Sequence, residues 1–424
     1  MAVLTATALL LNVIAYFLTA QTTEAAGAAE LNLKVKSAIL IEATTGQVLF
    51  EKEADKPFPP ASMAKMMTEY IVTERIRAKK LNWDDVVTTT KNAASTIGSR
   101  IFLAEGDQHT VKEMYTAMAV GSANDASIAL AEHISGTEEE FAKLMNETAR
   151  NIGMSDKAHF INATGLGRAD MPAEFRPKSI EGETEFSARD ASILARRIIL
   201  DHPEALEISK LTEYKFRERD DKPISNINWM LEGNKDNIYL KKFAYIGNDG
   251  LKTGHTNEAG YCFTGTAVRN GMRVISVVMG TGSEEERFTE TRKLFDYAFN
   301  NFEQKTLISA KSPLSKESTI TVSKGDITKV PVVTKSGLNL VVKKGTELDA
   351  SSYKIVPAAK EKRVAPIKKG QVLGKAVFMK DGKEVGSVEL MAKDDIKKAG
   401  WVKMFFRAIK SFFADLFSGI KGLF

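Results

Sequence analysis

The sequence predicts an α+β protein in three parts: a mixed α/β domain with an antiparallel sheet and a helical subdomain, a small all-β sandwich, and a C-terminal amphipathic helix. Three observations carry this reading. Apolar, β-branched runs stand at both ends of the first 305 residues with helical periodicity between them, so N- and C-terminal strands must share one sheet. After Lys305 the pattern changes to short strands broken by Lys-Gly and Asp-Gly turns, which suits a separate sandwich. Residues 401 to 424 space their aromatic and basic side chains by three and four, the period of a helix with two chemically different faces.

The chain begins, after its first 35 residues, with a hairpin over 36 to 51: Ala38-Ile39-Leu40-Ile41, a turn at Thr44-Thr45-Gly46, and a return strand from Gln47 to Phe50. Pro59 and Pro60 end the extended segment. Met66, Met67, Tyr70 and Ile71 then follow at helical spacing, which puts Ser62 at or one turn inside a helix N-terminus. Helical patterns over 111–121 and 125–134 leave Gly121-Ser122-Ala123-Asn124 as a short break. Tyr261 to Val268 and Met272 to Met279 are strands joined by Arg269-Asn270-Gly271, where Asn-Gly favours a tight hairpin; Gly250 to Thr256 precedes them as an edge strand, and 288–302 returns to helix. In the sandwich the expected strands are 318–322, 329–333, 372–378 and 384–390. The domain boundaries read this way are 30–305 for the mixed α/β domain, 306–395 for the sandwich and 398–424 for the helix.

Composition excludes several classes of function. With 424 residues, 43% hydrophobic and 27% charged, the chain can bury two or three cores and is not a disordered protein. The charge of +5, from 59 basic and 54 acidic residues with no long basic run, argues against a nucleic-acid partner. A single cysteine, Cys262, rules out an intramolecular disulfide framework and a Cys-based zinc cluster; it falls in an apolar strand, where a small buried thiol is expected.

Both ends of the chain point to a membrane. Residues 2 to 20 are free of charge and lead to the small residues Ala25, Ala26, Gly27, Ala28 and Ala29, as in a signal peptide over 1–28, although no Lys or Arg precedes the apolar run. The tail carries six phenylalanines with Lys403, Arg407, Lys410 and Lys421 interposed. A charge at the bilayer centre costs about 2.5–3.5 kcal/mol, whereas an in-plane helix leaves it among headgroups, so the tail reads as an interfacial anchor. The expected location is therefore the extracytoplasmic face of a membrane, peripherally bound.

The chemistry lies in three short patterns. Ser62-Met63-Ala64-Lys65, Ser122-Ala123-Asn124 and Lys252-Thr253-Gly254 occur in this order at a helix start, a helix break and a strand. S-x-x-K also occurs by chance at Ser351 and at Ser418, and context separates these from the first. A serine hydroxyl needs a base, and a lysine three residues on lies on the same helical face within its reach. Lys65 qualifies only if neutral; burial and a second cation, Lys252, both favour that. Ser122 can relay a proton to the leaving amine, and the Asn124 amide can hold the substrate backbone. Lys252 and Thr253 suit a terminal carboxylate, and Gly254 allows close approach of a substrate strand. Backbone N–H groups of Ser62 and His255 can hold the oxyanion, with the His255 side chain incidental. No cofactor and no metal are expected, since the chain lacks a G-x-S-x-G elbow, an H-E-x-x-H site and a Walker A loop.

Beyond these patterns, the segments 60–68 (Pro-Ala-Ser-Met-Ala-Lys-Met-Met-Thr), 160–166 (Phe-Ile-Asn-Ala-Thr-Gly-Leu), 249–256 (Asp-Gly-Leu-Lys-Thr-Gly-His-Thr) and 262–267 (Cys-Phe-Thr-Gly-Thr-Ala) resemble the serine D-alanyl-D-alanine carboxypeptidases of the penicillin-binding protein 5 type, peptidase family S11. The resemblance covers roughly 30–305, with S-A-N in place of the usual S-D-N, and the β-domain and tail follow the same plan. It implies a β-lactamase/transpeptidase-like catalytic fold and removal of the terminal D-alanine from peptidoglycan pentapeptide stems through an acyl-enzyme at Ser62. It also implies a role in limiting cell-wall cross-linking, and β-lactams as covalent inhibitors. An arginine near the substrate carboxylate is part of that family's pattern, and Arg287 fits it. Two other classes compete. A β-lactamase needs a water-activating glutamate in an E-x-E-L-N loop, and no such motif lies between Asn124 and Lys252; a non-catalytic β-lactam sensor would not require the intact Ser62, Lys65 and Lys252.

Overall fold

The computed structural model describes residues 31–316, 318–380, 382–407 and 409 of the 424. The expected signal peptide and the tail beyond residue 409 lie outside them. The described residues form two compact units, 31–269 with 273–298, and 270–272 with 299–409.

In the first unit, β1 (Ser37–Glu42) and β2 (Val48–Lys52) form the expected hairpin. The Glu42 carboxylate closes its turn by accepting the N–H groups of Thr44 (2.8 Å) and Thr45 (2.7 Å), and Gly46 supplies the left-handed residue at φ +77°. The middle of the unit holds α1 (Lys65–Arg77), α2 (Val111–Gly121), α3 (Asn124–Ser135), α4 (Glu138–Asn151) and α5 (Ala188–Asp201). The chain then returns through β3 (Asn248–Thr256), β4 (Gly260–Arg269) and β5 (Met272–Thr281) to α6 (Glu284–Asn301). The sheet order is β2-β1-β5-β4-β3, with β1 antiparallel to β5 from Ser37 opposite Met279 to Glu42 opposite Val274. The first and last strands therefore meet at the centre of one sheet, as the apolar runs at the two ends require. The helix α6 starts at Glu284, four residues before its apolar periodicity, because Glu284, Glu285 and Glu286 suit the positive end of a helix dipole.

Helix α1 is the pillar of this unit. Every residue from Lys65 to Thr73 is buried, so it is covered on all sides rather than on one stripe. On one side Met66, Met67 and Tyr70 join Phe141 and Met145 of α4, Leu194 and Ile198 of α5, and Ile39, Ile275 and Val277 of the sheet. On the other, Val72 packs with Met114 and Met118 of α2 and Ile128 and Leu130 of α3, the core of the helical subdomain. The single Cys262 is fully buried in the first of these cores, and burial pushes its thiol up to about 11.

The second unit is all-β. Strands β6 (Phe302–Ile308), β7 (Thr319–Thr321), β8 (Lys329–Thr334), β9 (Leu338–Lys343), β10 (Tyr353–Pro357), β11 (Val372–Lys380) and β12 (Lys383–Ala392) form a pair, β6-β9, and a five-stranded sheet in the order β7-β8-β12-β11-β10. Leu307, Leu338 and Leu340 of the pair share a core with Ile320, Val332, Phe378 and Leu390 of the larger sheet, which is the two-layer packing of a sandwich. Strands β6, β9 and β10 are not among the strands the sequence named; in β6 four polar residues, Glu303 to Thr306, separate Phe302 from Leu307 and leave no period of 2 to read. Residues 401–407 are helical, and among the described residues no helix is long and apolar enough to cross a membrane.

Candidate active site

The chain enters α1 through a 3₁₀ turn, Ala61–Ala64, so Ser62 sits in that turn and Lys65 is the first residue of the α-helix. In a 3₁₀ turn residues i and i+3 eclipse, which stacks the two side chains directly. The Lys65 Nζ donates to Ser62 Oγ at 2.9 Å and to the Thr164 carbonyl at 2.9 Å, and the Lys65 side chain is fully buried. Ala61, just before Ser62, holds φ +49°, a left-handed conformation that costs a non-glycine residue about 1–3 kcal/mol and recurs at functional sites.

The second motif caps one helix and opens the next. A Thr110–Glu113 capping box starts α2; Ser122 ends it in the left-handed region at φ +58°, and Asn124 begins α3. The loop before α2 clamps this break: Ser99 Oγ donates to the Gly121 carbonyl at 2.7 Å, and the Asn124 N–H donates to the Ser99 carbonyl at 2.8 Å. The Asn124 amide nitrogen donates to the Ile97 carbonyl at 2.6 Å, whereas its Oδ1 is buried with no partner among the described residues. That amide is thus held by its nitrogen, and its oxygen can accept an N–H.

The third motif lies on β3, the edge of the sheet, where half of the backbone groups face away from β4. Lys252 Nζ donates to Ser122 Oγ at 2.8 Å and to the Thr253 carbonyl at 3.2 Å. Gly254 meets a packing constraint that the sequence did not show. A Cβ there would stand 2.4 Å from the Pro60 carbonyl oxygen and 3.2 Å from the Met63 nitrogen, so the missing side chain lets the strand lie against the turn that carries Ser62. His255 is exposed and its ring stacks on Tyr261 at 4.0 Å between centroids. Arg287, in the first turn of α6, is buried, bonded to Glu284 at 2.7 Å, and faces the same Tyr261 ring at 5.7 Å. The structure therefore brings Ser62, Lys65, Ser122, Asn124, Lys252, Thr253 and Gly254 to one place, with His255 and Arg287 linked to it through Tyr261.

Electrostatics follow from the burial. Burial holds Lys65 well below the ordinary lysine range, and the Lys252 ammonium adds to that. Lys252 is also lowered, first by burial; Glu69 opposes the shift and Arg287 adds to it. Glu69, one turn after Lys65 on α1, is raised by its own burial while both lysines pull it back. Its Oε1 has no hydrogen-bond partner among the described residues. Glu138 is raised to about 7 by burial and receives the Asn92 amide and the Ala163 N–H, each at 3.0 Å.

Three participants have no assignment in the sequence reading: Glu69, Asn162 and Thr164. The Asn162 side-chain oxygen gathers the Thr164 N–H (3.0 Å), the Thr164 hydroxyl (3.0 Å) and the Gly165 N–H (2.7 Å), a loop that aims the Thr164 carbonyl at Lys65. Gly165, at φ +78°, has the Ala61 carbonyl oxygen 2.0 Å from where a Cβ would stand. The signal that marks this loop is the Asn-Ala-Thr-Gly stretch itself, a turn composition inside an apolar segment.

A mixed sheet-and-helix unit with a serine, a buried lysine at 2.9 Å and a second serine–lysine pair defines a serine acyl-transfer hydrolase. Residues 21–283 match the D-alanyl-D-alanine carboxypeptidase family, peptidase S11, and residues 302–398 match the C-terminal domain of penicillin-binding protein 5. The chain belongs to this carboxypeptidase family, a family of serine hydrolases. The D-alanyl-D-alanine carboxypeptidase DacF of Bacillus subtilis (strain 168) is 38% identical over 373 residues, 88% of each chain. A solved peptidoglycan synthesis regulatory factor, PBP3 of Streptococcus pneumoniae, superposes with a TM-score of 0.76 at 30% identity, over 86% of this chain and 100% of that one. Penicillin-binding protein D2 of Listeria monocytogenes in its ampicillin-bound form does so with a TM-score of 0.53 at 32% identity, over 63% of this chain and 99% of that one.

Proposed function

We propose that the chain removes the terminal D-alanine from peptidoglycan pentapeptide stems by way of an ester at Ser62. Lys65 takes the Ser62 hydroxyl proton as Oγ attacks the carbonyl of the penultimate D-alanine, forming the C–O bond. The backbone N–H groups of Ser62 and His255 hold the oxyanion. Collapse breaks the C–N bond, and the proton reaches the leaving amine through Ser122. Asn124 Oδ1 accepts a substrate N–H, and Lys252, Thr253 and Arg287 hold the terminal carboxylate. Water then hydrolyses the ester and restores Ser62. The observation that supports this most is the 2.9 Å contact between Ser62 Oγ and a fully buried Lys65 Nζ. A β-lactam carries a carboxylate and an acylating carbonyl of similar disposition, so covalent inhibition at Ser62 follows from the same mechanism, and the ampicillin-bound form of the Listeria relative supports β-lactam binding.

The proposed division is a signal peptide over 1–28, the catalytic domain over 30–305, the sandwich over 306–395 and a membrane-associating helix over 398–424, with the enzyme on the extracytoplasmic face. Exposed Trp401, Phe405 and Phe406 at the start of the tail support the membrane reading. Mass spectrometry after incubation with penicillin, and then with a D-Ala-D-Ala peptide, tests the reaction. A covalent adduct on the Ser62 peptide and released D-alanine are expected; both vanish in Ser62→Ala, which removes one acceptor of the buried Lys65 Nζ at a cost of about 1–3 kcal/mol of stability. Acylation of Ser62→Ala at the unaltered rate would overturn the assignment.

A further inference from the structure

The excess positive charge of the chain is concentrated at one end of the second unit. Four segments meet there: 323–326, 360–369, 393–399 and the helix 401–407. Ser323 N–H donates to the Arg363 carbonyl and Asp326 N–H to the Lys397 carbonyl, each at 2.8 Å. Ile367 and Ile396 exchange backbone bonds of 3.0 and 2.9 Å, and Ala399 N–H donates to the Lys324 carbonyl at 2.8 Å. The Arg407 guanidinium ties the helix to this end by donating to the carbonyls of Gly325 (2.5 Å) and Asp326 (2.9 Å).

These segments hold eleven Lys and Arg against four Asp and Glu, an excess of seven, while the whole chain has an excess of five. Everything else is therefore net negative by two, so a generally basic surface does not account for the cluster. Among the described residues the ion pairs of this unit are Lys305 with Glu303 and Lys335 with Glu389, and none of the eleven cations takes part in one. Lys324, Lys362, Lys368, Lys369 and Lys398 are all exposed. In the same hydrogen-bonded assembly stand three large apolar side chains open to solvent, Trp401 at 76%, Phe405 at 57% and Phe406 at 65%.

We infer that this end of the β-domain is itself a membrane-contact surface, a platform of cations on turns and strands that engages anionic phospholipid headgroups beside the aromatic start of the tail. The inference rests on the membrane reading of the tail and deepens it. A soluble polyanion would answer the cations but leave the aromatics in water. An anionic bilayer surface answers both, because aromatic rings sit at the interface and basic side chains among the headgroups. The pinning by Arg407 places both kinds of contact on one piece of the protein.

The test is vesicle binding by the chain from residue 29 onward, which contains both described units, against Lys362→Glu/Lys368→Glu/Lys369→Glu/Lys398→Glu. Each cation near an anionic surface is worth about fivefold in affinity at low ionic strength. The fourfold variant is expected to lose about a hundredfold or more on phosphatidylglycerol-containing vesicles in low salt. It is expected to match the unaltered chain on pure phosphatidylcholine vesicles, and in about 0.5 M salt, where charges are screened within a few ångströms. Circular dichroism and turnover of a soluble peptide report its folding, and the matching Lys→Gln variant, losing about half as many decades, keeps the test open if the Glu form misfolds. Equal binding of either variant and the unaltered chain to anionic vesicles would overturn the platform. So would binding of inorganic polyphosphate as tight as that of anionic vesicles, which would mark a general polyanion site. The tail reading fails separately, if Trp401→Ser/Phe405→Ser/Phe406→Ser partitions into phosphatidylcholine as well as the unaltered chain.

Discussion

Lys65 can accept a proton only while uncharged, and its full burial beside Lys252 supplies that state. Arginine keeps its proton in proteins, so Lys65→Arg is expected to be nearly as inactive in penicillin acylation as Lys65→Ala, by about 10² or more. Retention of most of the rate in Lys65→Arg would make Lys65 an electrostatic element and send the base elsewhere. The same lowering fixes the sign of the pH dependence. Neutral Lys65 grows in as pH rises through its lowered pKa, so acylation climbs on the acid side. Lys252 must stay charged to hold a carboxylate, and its pKa is lowered too, so the rate falls again on the alkaline side, below the ordinary lysine value of about 10.4. Lys252→Arg keeps part of the activity and moves the alkaline limb upward, because the guanidinium does not titrate there. A pH–rate profile of penicillin acylation reads both limbs, and an alkaline limb unmoved in Lys252→Arg would show that another group titrates.

At the scale of elements, the site depends on how closely an edge strand approaches a turn. Strand β3 meets the Ser62 turn through Gly254, with no room for a methyl group between it and the Pro60 carbonyl. Gly254→Ala should push β3 outward, carrying Lys252 and the His255 N–H away from Ser62. The expected result is a loss of about 100-fold in acylation, in line with misplacement of about 1 Å, and a stability cost of about 1–3 kcal/mol. Acylation kinetics and urea unfolding measure the two effects, and a variant with unaltered kinetics would show that the strand has slack. The loop over 162–166 plays the matching part on the opposite side, since Asn162 holds Thr164 and Gly165 against Lys65 and Ala61.

For the whole molecule, no group proposed for the reaction lies beyond Arg287, so deleting residues 401–424 should leave turnover of a soluble peptide unchanged. The same deletion should release the chain lacking residues 1–28 from anionic liposomes at about 0.15 M salt, where the Debye length is about 8 Å and the cations of the β-domain alone hold weakly. Flotation is the measurement. A truncated chain that floats as well as the longer one would place the anchor outside the tail. The apolar contribution of the phenylalanines is not screened, so the tailed form keeps some affinity in high salt.

Much of this was legible in the sequence because it is local. The periods of 2 and 3.6 marked the hairpin, α2, α3 and the strands after Asn248, and the three-residue spacing of Ser62 and Lys65 already implied contact. The order of the three motifs also told which S-x-x-K matters, since the chance copies lack a helix start and partner motifs. What only the tertiary structure decided is long-range: the pairing of Ser37 with Met279, the Thr164 carbonyl on Lys65, and the Ser122–Lys252 contact across 130 residues. Glu69 reads in sequence as an ordinary helical glutamate; its charge matters only because packing on every side of α1 removes water from it. The reason for Gly254 likewise lay in the Pro60 carbonyl 194 positions earlier, and the basic platform is spread over segments that are each unremarkable in charge until backbone bonds bring them together. Spacing along a chain determines which neighbours a side chain can have within a turn or a strand, while burial, and with it the protonation of a buried group, depends on what the rest of the chain packs against it.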